Sequence, residues 1–312
     1  MDHKPIGTAF EANVLAKQQF ESIAIPFTGM SHIGWYLKLG NKRIIANDIC
    51  QWAWWVGRAR IENNNDQLAE DHLSIILNDI NDDLANDICS NLNSDLQRWF
   101  SNNDANWLAQ VRENIDRLPS DNYRALALFA GILTGDYILG FTSQTQFLRR
   151  PLTVVYREMV KIVNRICDNQ GLNYVSNLEA LDFIVRTRAD LMYAKLPTPG
   201  SIERFIHSSA YWREVWVRKD TSIAREIWQQ THAHLGGIAL SKARYLQSIA
   251  ELLDHAKHIP IWALSFSTYQ QLSLSEISHL VEKHRTVKQT YTKDSGGLVG
   301  GQLAYIMIAV NP

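Results

Sequence analysis

Cysteine is scarce: only Cys50, Cys89 and Cys167 occur in the 312 residues, far apart, and any single bridge would leave one over. A disulfide-stapled secreted fold is therefore not expected, and a reducing, cytoplasmic setting is. Long apolar runs are also missing, since the longest, such as Leu303 to Val310, fall far short of the roughly 20 residues a membrane-spanning helix needs. Met1 to Phe10 lacks a basic flank followed by an apolar stretch, so neither a signal peptide nor a membrane partner is expected. Net charge is almost absent too, at -1 from 31 basic and 32 acidic residues, which at first speaks against a nucleic-acid partner. What remains is an ordinary globular mixture, 46% hydrophobic and 20% charged, long enough for about two domain-sized units. Disorder and collagen-like repeats are excluded.

Read segment by segment, the charge is uneven. Between Ile61 and Phe100, Glu62, Asp66, Glu70, Asp71, Asp79, Asp82, Asp83, Asp87 and Asp95 face the single Arg98. Such a segment repels a phosphate backbone. Basic residues follow later, as Arg149, Arg150, Arg157, Lys161 and Arg165, and again as Arg204, Arg213, Arg218, Lys219 and Arg225. Arg149, Arg150, Arg157 and Arg213 are candidate phosphate contacts, with a solvated helix face as the alternative for the first cluster.

Periodicity divides the chain. Residues 22–49 give a strand, a turn at Thr28-Gly29-Met30-Ser31, an amphipathic helix and a second strand ending at Asn47-Asp48. From about Val56 to Ile166 the spacing is helical, with one stripe of Leu73, Ile76, Leu77, Ile80, Leu84 and Ile88 and another of Trp107, Val111 and Ile115. After Gly171 strand and helix signals alternate again, with strands at Tyr174-Val175, Ala189 to Lys195 and Ile261 to Phe266. A closing antiparallel pair is read at Thr286 to Tyr291 and Leu303 to Val310, around a Gly-rich turn at Ser295 to Gly301. The expected fold is an α/β domain built from residues 1–55 and 168–312, interrupted by an all-helical insert over 56–167.

Two common chemistries lack a signature. No Gly-x-Ser-x-Gly elbow surrounds Ser241, Ser265 or Ser267. His232 and His234 have no third ligand nearby, and His255 and His258 fall on a separate helix, so no metal site is expected. Trp52, Trp54, Trp55, Trp212 and Trp216 suit either base stacking or core packing.

Five segments, in order, resemble the adenine-specific DNA methyltransferases of the Dam-like class, which use S-adenosylmethionine. Ile25-Pro26-Phe27-Thr28-Gly29 resembles their methionine-binding loop, and Ala46-Asn47-Asp48-Ile49 their Ala-Asn-Asp-Ile, whose acid takes the ribose hydroxyls. Arg98-Trp99-Phe100-Ser101 with Val111-Arg112-Glu113-Asn114-Ile115 is similar to the start of their helical domain. Asn177-Leu178-Glu179-Ala180 with Asp182-Phe183 is similar to the segment preceding their catalytic strand, and Leu264-Ser265-Phe266-Ser267 with Leu274-Ser275-Glu276-Ile277 resembles their Leu-Ser-Tyr-Asn strand and the helix after it. The resemblance implies a Rossmann-like methyltransferase sheet, DNA as partner, and Pro26, Phe27, Gly29, Asp48 and Glu179 as cofactor contacts. Asp48 fits a second role equally, as the cap of the following helix.

The catalytic segment departs from the pattern. Where the family has Tyr-x-Asp-Pro-Pro-Tyr, this chain has Tyr193-Ala194-Lys195-Leu196-Pro197-Thr198. The family's acid accepts hydrogen bonds from the target amino group, whereas Lys195 carries donors only and places a positive charge beside a sulfonium. Leu196 and Thr198 also remove the rigid turn and the stacking aromatic. On the cofactor side, Ile25 replaces a leading acid, Ser31 replaces a loop glycine, and the N-terminal glycines are reduced to Gly7, which weakens the expected binding of S-adenosylmethionine. The expectation is a pseudoenzyme that binds DNA or partners an active methyltransferase subunit. The competing expectation is an active enzyme in which Asp190, five residues upstream, replaces the missing acid.

Overall fold

The computed structural model describes residues 8–80, 91–142, 144–198, 205–220, 235, 241–267, 272–294 and 303–312. Along the chain run α1 (Thr8–Ala16), β1 (Ser22–Ile25), α2 (His32–Leu39), β2 (Arg43–Asn47), α3 (Gln51–Gly57) and a π-helical turn over Arg58–Glu62. Then come α4 (Glu70–Ile76), α5 (Asn91–Leu96), α6 (Asn102–Ile115), α7 (Asp121–Leu139), a short 3-10 turn over Gln146–Leu148, and α8 (Leu152–Val163). The remainder is β3 (Tyr174–Ser176), α9 (Ala180–Arg186), β4 (Leu191–Lys195), α10 (Ser209–Arg218), α11 (Lys242–His255), β5 (Ile261–Ser267), α12 (Leu274–Glu282), β6 (Thr286–Asp294) and β7 (Leu303–Val310).

The seven strands form one mixed sheet in the order β3-β2-β1-β4-β5-β7-β6. Neighbours from β3 through β5 are parallel, and β7 runs antiparallel between β5 and β6. The central strands read as unbroken apolar runs, Ile23-Ala24-Ile25 and Leu191-Met192-Tyr193-Ala194, because both faces are covered. Alternate residues therefore enter different cores. Ile23, Ile25, Ile44 and Tyr193 pack under α1 and α2, whereas Ala24, Ile45, Met192, Trp262 and Leu264 pack against α9, α11 and α12.

A third core belongs to the helices. Trp52 and Val56 of α3, Trp107 and Val111 of α6, Leu126 and Ala130 of α7, and Tyr156 of α8 share it with Trp212 and Trp216 of α10. Sequence order placed α10 in the returning α/β segment, yet it packs among the helices that precede β3. Its two tryptophans lie one turn apart and sit on the two glycines of α7, also one turn apart: a Cβ on Gly131 would stand 2.2 Å from Trp216 Cη2, and one on Gly135 2.3 Å from Trp212 Cη2. The Trp216 indole donates to the Leu108 carbonyl at 2.8 Å. Both rings are fully buried, which makes them core residues rather than stacking platforms.

Two other readings change. The helix that carries Leu73 and Ile76 of the first stripe, α4, stops at Ile76, and Asp79 takes φ +57°. Leu84 and Ile88 lie outside the described residues, as do Gly7, Asp82, Asp83, Asp87, Cys89, Arg204, Arg225, His232, His234 and the turn Ser295 to Gly301. Helix α1, which the sequence did not suggest, buries Glu11 together with Ala12, Val14 and Leu15. Among the described residues no helix is long and apolar enough to cross a membrane.

Candidate functional site

In an open α/β sheet the connections diverge where the strand order reverses, leaving a crevice beyond the carboxyl ends of the two strands. Here that point lies between β1 and β4, and a cavity of about 530 Å³ opens there. Ile25, Tyr193 and Lys195 supply its floor from the strand ends; Glu11 of α1 and the Phe27 to His32 loop form the sides; Asp136 of α7 and Arg213 of α10 close it from the helical layer.

Lys195 ends β4 facing the same side of the sheet as Tyr193. Its ammonium lies 3.1 and 3.3 Å from the two carboxylate oxygens of Glu11. Glu11 is buried, 5% exposed at its side chain against 49% for Lys195, and also accepts from Ser265 Oγ at 2.6 Å. Ser265 is the residue paired with Lys195 across β4 and β5, so the strand register builds this triad. Burial, and then the nearby Glu11 charge, push the Tyr193 phenol up, its hydroxyl lying beside Ser265 and Glu11. The rest of the departed motif turns away. Leu196 is buried with Tyr245 and Ile249 on the opposite face, the Pro197 carbonyl accepts from Tyr245 Oη at 2.6 Å, and Thr198 is exposed.

Asp190 stands at the other end of β4. It accepts from Glu21 N, Ser22 N and Ser22 Oγ at 2.9, 2.8 and 2.9 Å, tying the start of β1. Five residues of strand put it about 16 Å from Lys195, so it does not replace the missing acid in the cavity. Asp190→Ala should lower stability by about 1–2 kcal/mol in urea unfolding. Desolvation is the largest single effect and raises the Asp190 carboxyl, but the Ser22 and Glu21 donors with Lys42 together hold it below the usual range, so its contribution is present above about pH 4 and fades as the pH falls further.

The loop after β1 keeps a glycine-like backbone. Gly29 has φ +49°, and a Cβ there would meet nothing within 4 Å. Ser31, standing where the resembling loop has glycine, nevertheless takes φ +56°, a region costly for a residue with a Cβ. Asp48 is not the cap of α3, which is Cys50, but ties the two loops together: Oδ1 accepts from Cys50 N at 3.1 Å and Oδ2 from Gly29 N at 2.9 Å. Burial raises its carboxyl to about 6, while these backbone donors pull the other way. Glu179 caps α9, accepting from Leu181 N at 2.7 Å. The Pro26 carbonyl is held by Asn47 Nδ2 at 3.3 Å. Of the expected cofactor residues, only Phe27 and Gly29 line the cavity.

Two further residues of the wall, His32 and Asp136, carried no sequence signal. His32 Nδ1 lies 3.0 Å from Arg60 Nη1, and because a guanidinium only donates, the ring nitrogen accepts and the imidazole proton sits on Nε2. Desolvation and then the charges of Arg60 and Lys195 push this histidine down to about 4, so the ring is neutral at pH 7. Asp136 takes a two-pronged ion pair from Arg213 at 2.8 Å to each oxygen, and the guanidinium lies 4.9 Å from the Trp52 ring.

The candidate phosphate contacts are for the most part engaged within the protein. Arg149 pairs with buried Asp104 at 2.9 Å, Arg157 with Glu70 at 2.6 Å, and Arg213 with Asp136, whereas Arg150 is exposed. Of these pairs, Arg157–Glu70 joins a basic cluster to the acidic segment, while Asp104 and Asp136 lie outside that segment. His255 and His258 contact the backbone oxygens of Glu251 and Thr187, both at 2.8 Å. Among the described residues no three potential ligands gather as a metal site. No protein-family model matches this chain, and no curated protein does.

Proposed function

We propose that this chain is a methyltransferase-like pseudoenzyme that binds DNA, alone or as a partner subunit of an active methyltransferase. The observation that carries the reading is Lys195, ion-paired to buried Glu11 at the end of β4, at the floor of the cavity where the resembling enzymes place a hydrogen-bond acceptor. A lysine there can neither accept from an adenine amino group nor increase electron density on its nitrogen.

The strand order supports the fold half of the proposal. Strands 3-2-1-4-5 follow the doubly wound Rossmann order, and an antiparallel hairpin closes the sheet at one edge. The residues meant for S-adenosylmethionine do not fit it: Asp48 and Glu179 are engaged by backbone donors, and Lys195 and Arg213 set cations around any sulfonium in the cavity. Phosphate contact falls to exposed Arg150 within this reading, because the neighbouring Arg149 and Arg157 are held in ion pairs.

Calorimetric titration with S-adenosylmethionine should give no heat of binding at micromolar concentrations, while duplex DNA should be retarded in a low-salt gel or a host methyltransferase should co-purify. Absence of both DNA retardation and a methyltransferase partner would remove the binding half of the reading.

A further inference from the structure

The donors and acceptors of the cavity are unequally engaged. Its two carboxylates, Glu11 and Asp136, are held in ion pairs, and Glu11 also takes the Ser265 hydroxyl. On the donor side, Lys195 carries three N–H groups on a half-exposed side chain, and its recorded contacts are the two oxygens of Glu11. Neutral His32, with Nδ1 committed to Arg60, has Nε2–H as its remaining polar group. A ligand that shares this space must bring acceptors, because one bringing an amino group would face Lys195 with donor against donor. Phe27, Met30 and Ile33 give the same cavity an apolar side suited to a flat ring, and about 530 Å³ holds a nucleoside comfortably.

Resting on the reading of the chain as a non-catalytic, DNA-binding relative of base-flipping enzymes, we infer that the cavity takes an extrahelical 6-oxopurine, hypoxanthine or guanine, with its O6 accepting from Lys195. Adenine and 6-oxopurines have the same shape but opposite polarity at this edge. Adenine offers N6–H₂ as a donor, whereas guanine and hypoxanthine offer O6 as an acceptor. Exchanging an acidic acceptor for a lysine at the end of β4 therefore inverts base selection and does not merely abolish it. Because a charged donor forms the stronger class of hydrogen bond, and an unmatched donor pair leaves both groups unsatisfied, the preference should be large.

The cleanest probes are 2′-deoxyinosine and 2′-deoxyadenosine, which differ only at the 6-oxo or 6-amino edge and the adjoining N1 proton. Titrated calorimetrically into the full chain, deoxyinosine should bind at least about tenfold more tightly. Lys195→Arg should keep the preference and Lys195→Met should reduce it to within about threefold, the melting temperature showing that each variant is folded. Should Lys195→Met unfold through the stranded Glu11 charge, the Glu11→Gln/Lys195→Met pair, which leaves no buried ion, serves in its place with the same expectation. Equal affinity for the two nucleosides, tighter binding of deoxyadenosine, or no binding of either at millimolar concentration overturns the inference. Methyl transfer to an adenine-containing duplex, assayed on the same preparation, separates the two levels. Transfer contradicts the non-catalytic reading itself, whereas no transfer together with no inosine preference contradicts only the base assignment.

Discussion

Replacing Gly131 by alanine will lower the stability of this protein by about 1–3 kcal/mol, although alanine is intrinsically the better helix former by about 1 kcal/mol. The reason is a rigid neighbour: the new methyl would stand 2.2 Å from Trp216 Cη2. That ring has no room to retreat, being fully buried and anchored by its indole bond to the Leu108 carbonyl. Trp216→Phe, which shortens the ring system, should cost stability by itself, through the space it leaves and the lost indole bond to the Leu108 carbonyl. The two changes together should cost less than their sum by about 1 kcal/mol or more. A double-mutant cycle in urea reads this coupling. Simple additivity would mean that α7 and α10 do not meet as described.

The second large effect concerns pH. Glu214 of α10 is fully buried and accepts from the Gln51 and Trp52 amides, both at 2.9 Å, so it holds the start of α3 from another element. Burial raises its carboxyl to about 7, against the pull of those amides and of Arg218, with Asp48 adding to the rise. A carboxyl raised in the folded state binds its proton more tightly there than in the unfolded chain. Its stabilising contribution is therefore complete below about pH 4.5 and is lost as the pH rises through 7. Relative to Glu214→Gln, which does not titrate, the natural protein should lose about 2–3 kcal/mol between pH 4.5 and 8. Urea unfolding of both proteins at the two pH values measures the difference. A natural protein that gains on the glutamine variant as the pH rises would show that Glu214 is held as a stabilised carboxylate instead.

Much of the sheet is legible in the sequence because its evidence is local. The apolar runs at Ile23 to Ile25, Leu191 to Ala194 and Trp262 to Phe266 can only be strands covered on both faces, and the alternation of strand and helix signals orders them. The position of α10 is not local. Trp212 and Trp216 announce an apolar face, but nothing near them says that it rests on Gly131 and Gly135 of a helix far upstream. The charge pattern misleads for the same reason, since Arg157 and Glu70 are distant along the chain and adjacent in the fold.

The candidate site divides similarly. Lys195 is legible by contrast with a motif, but its partner is not: Glu11 is a lone acid in a short helix whose neighbours give no clear stripe. Only the register that sets Ser265 beside Lys195 brings the three side chains together. Asp48 and Glu179 look like ligands in sequence because a carboxylate after a strand and one before a helix suit both recognition and capping. The structure engages both with backbone amides, at the starts of α3 and α9.

We propose that the ion-paired lysine at the end of β4 gives this cavity a role in binding without methyl transfer. Its most direct test is incorporation of labelled methyl from S-adenosylmethionine into duplex DNA containing adenine in varied sequence contexts. No incorporation above a protein-free control is expected, for the natural chain and for Asp190→Ala alike. Incorporation that purified protein sustains, and that Lys195→Ala abolishes, would contradict it.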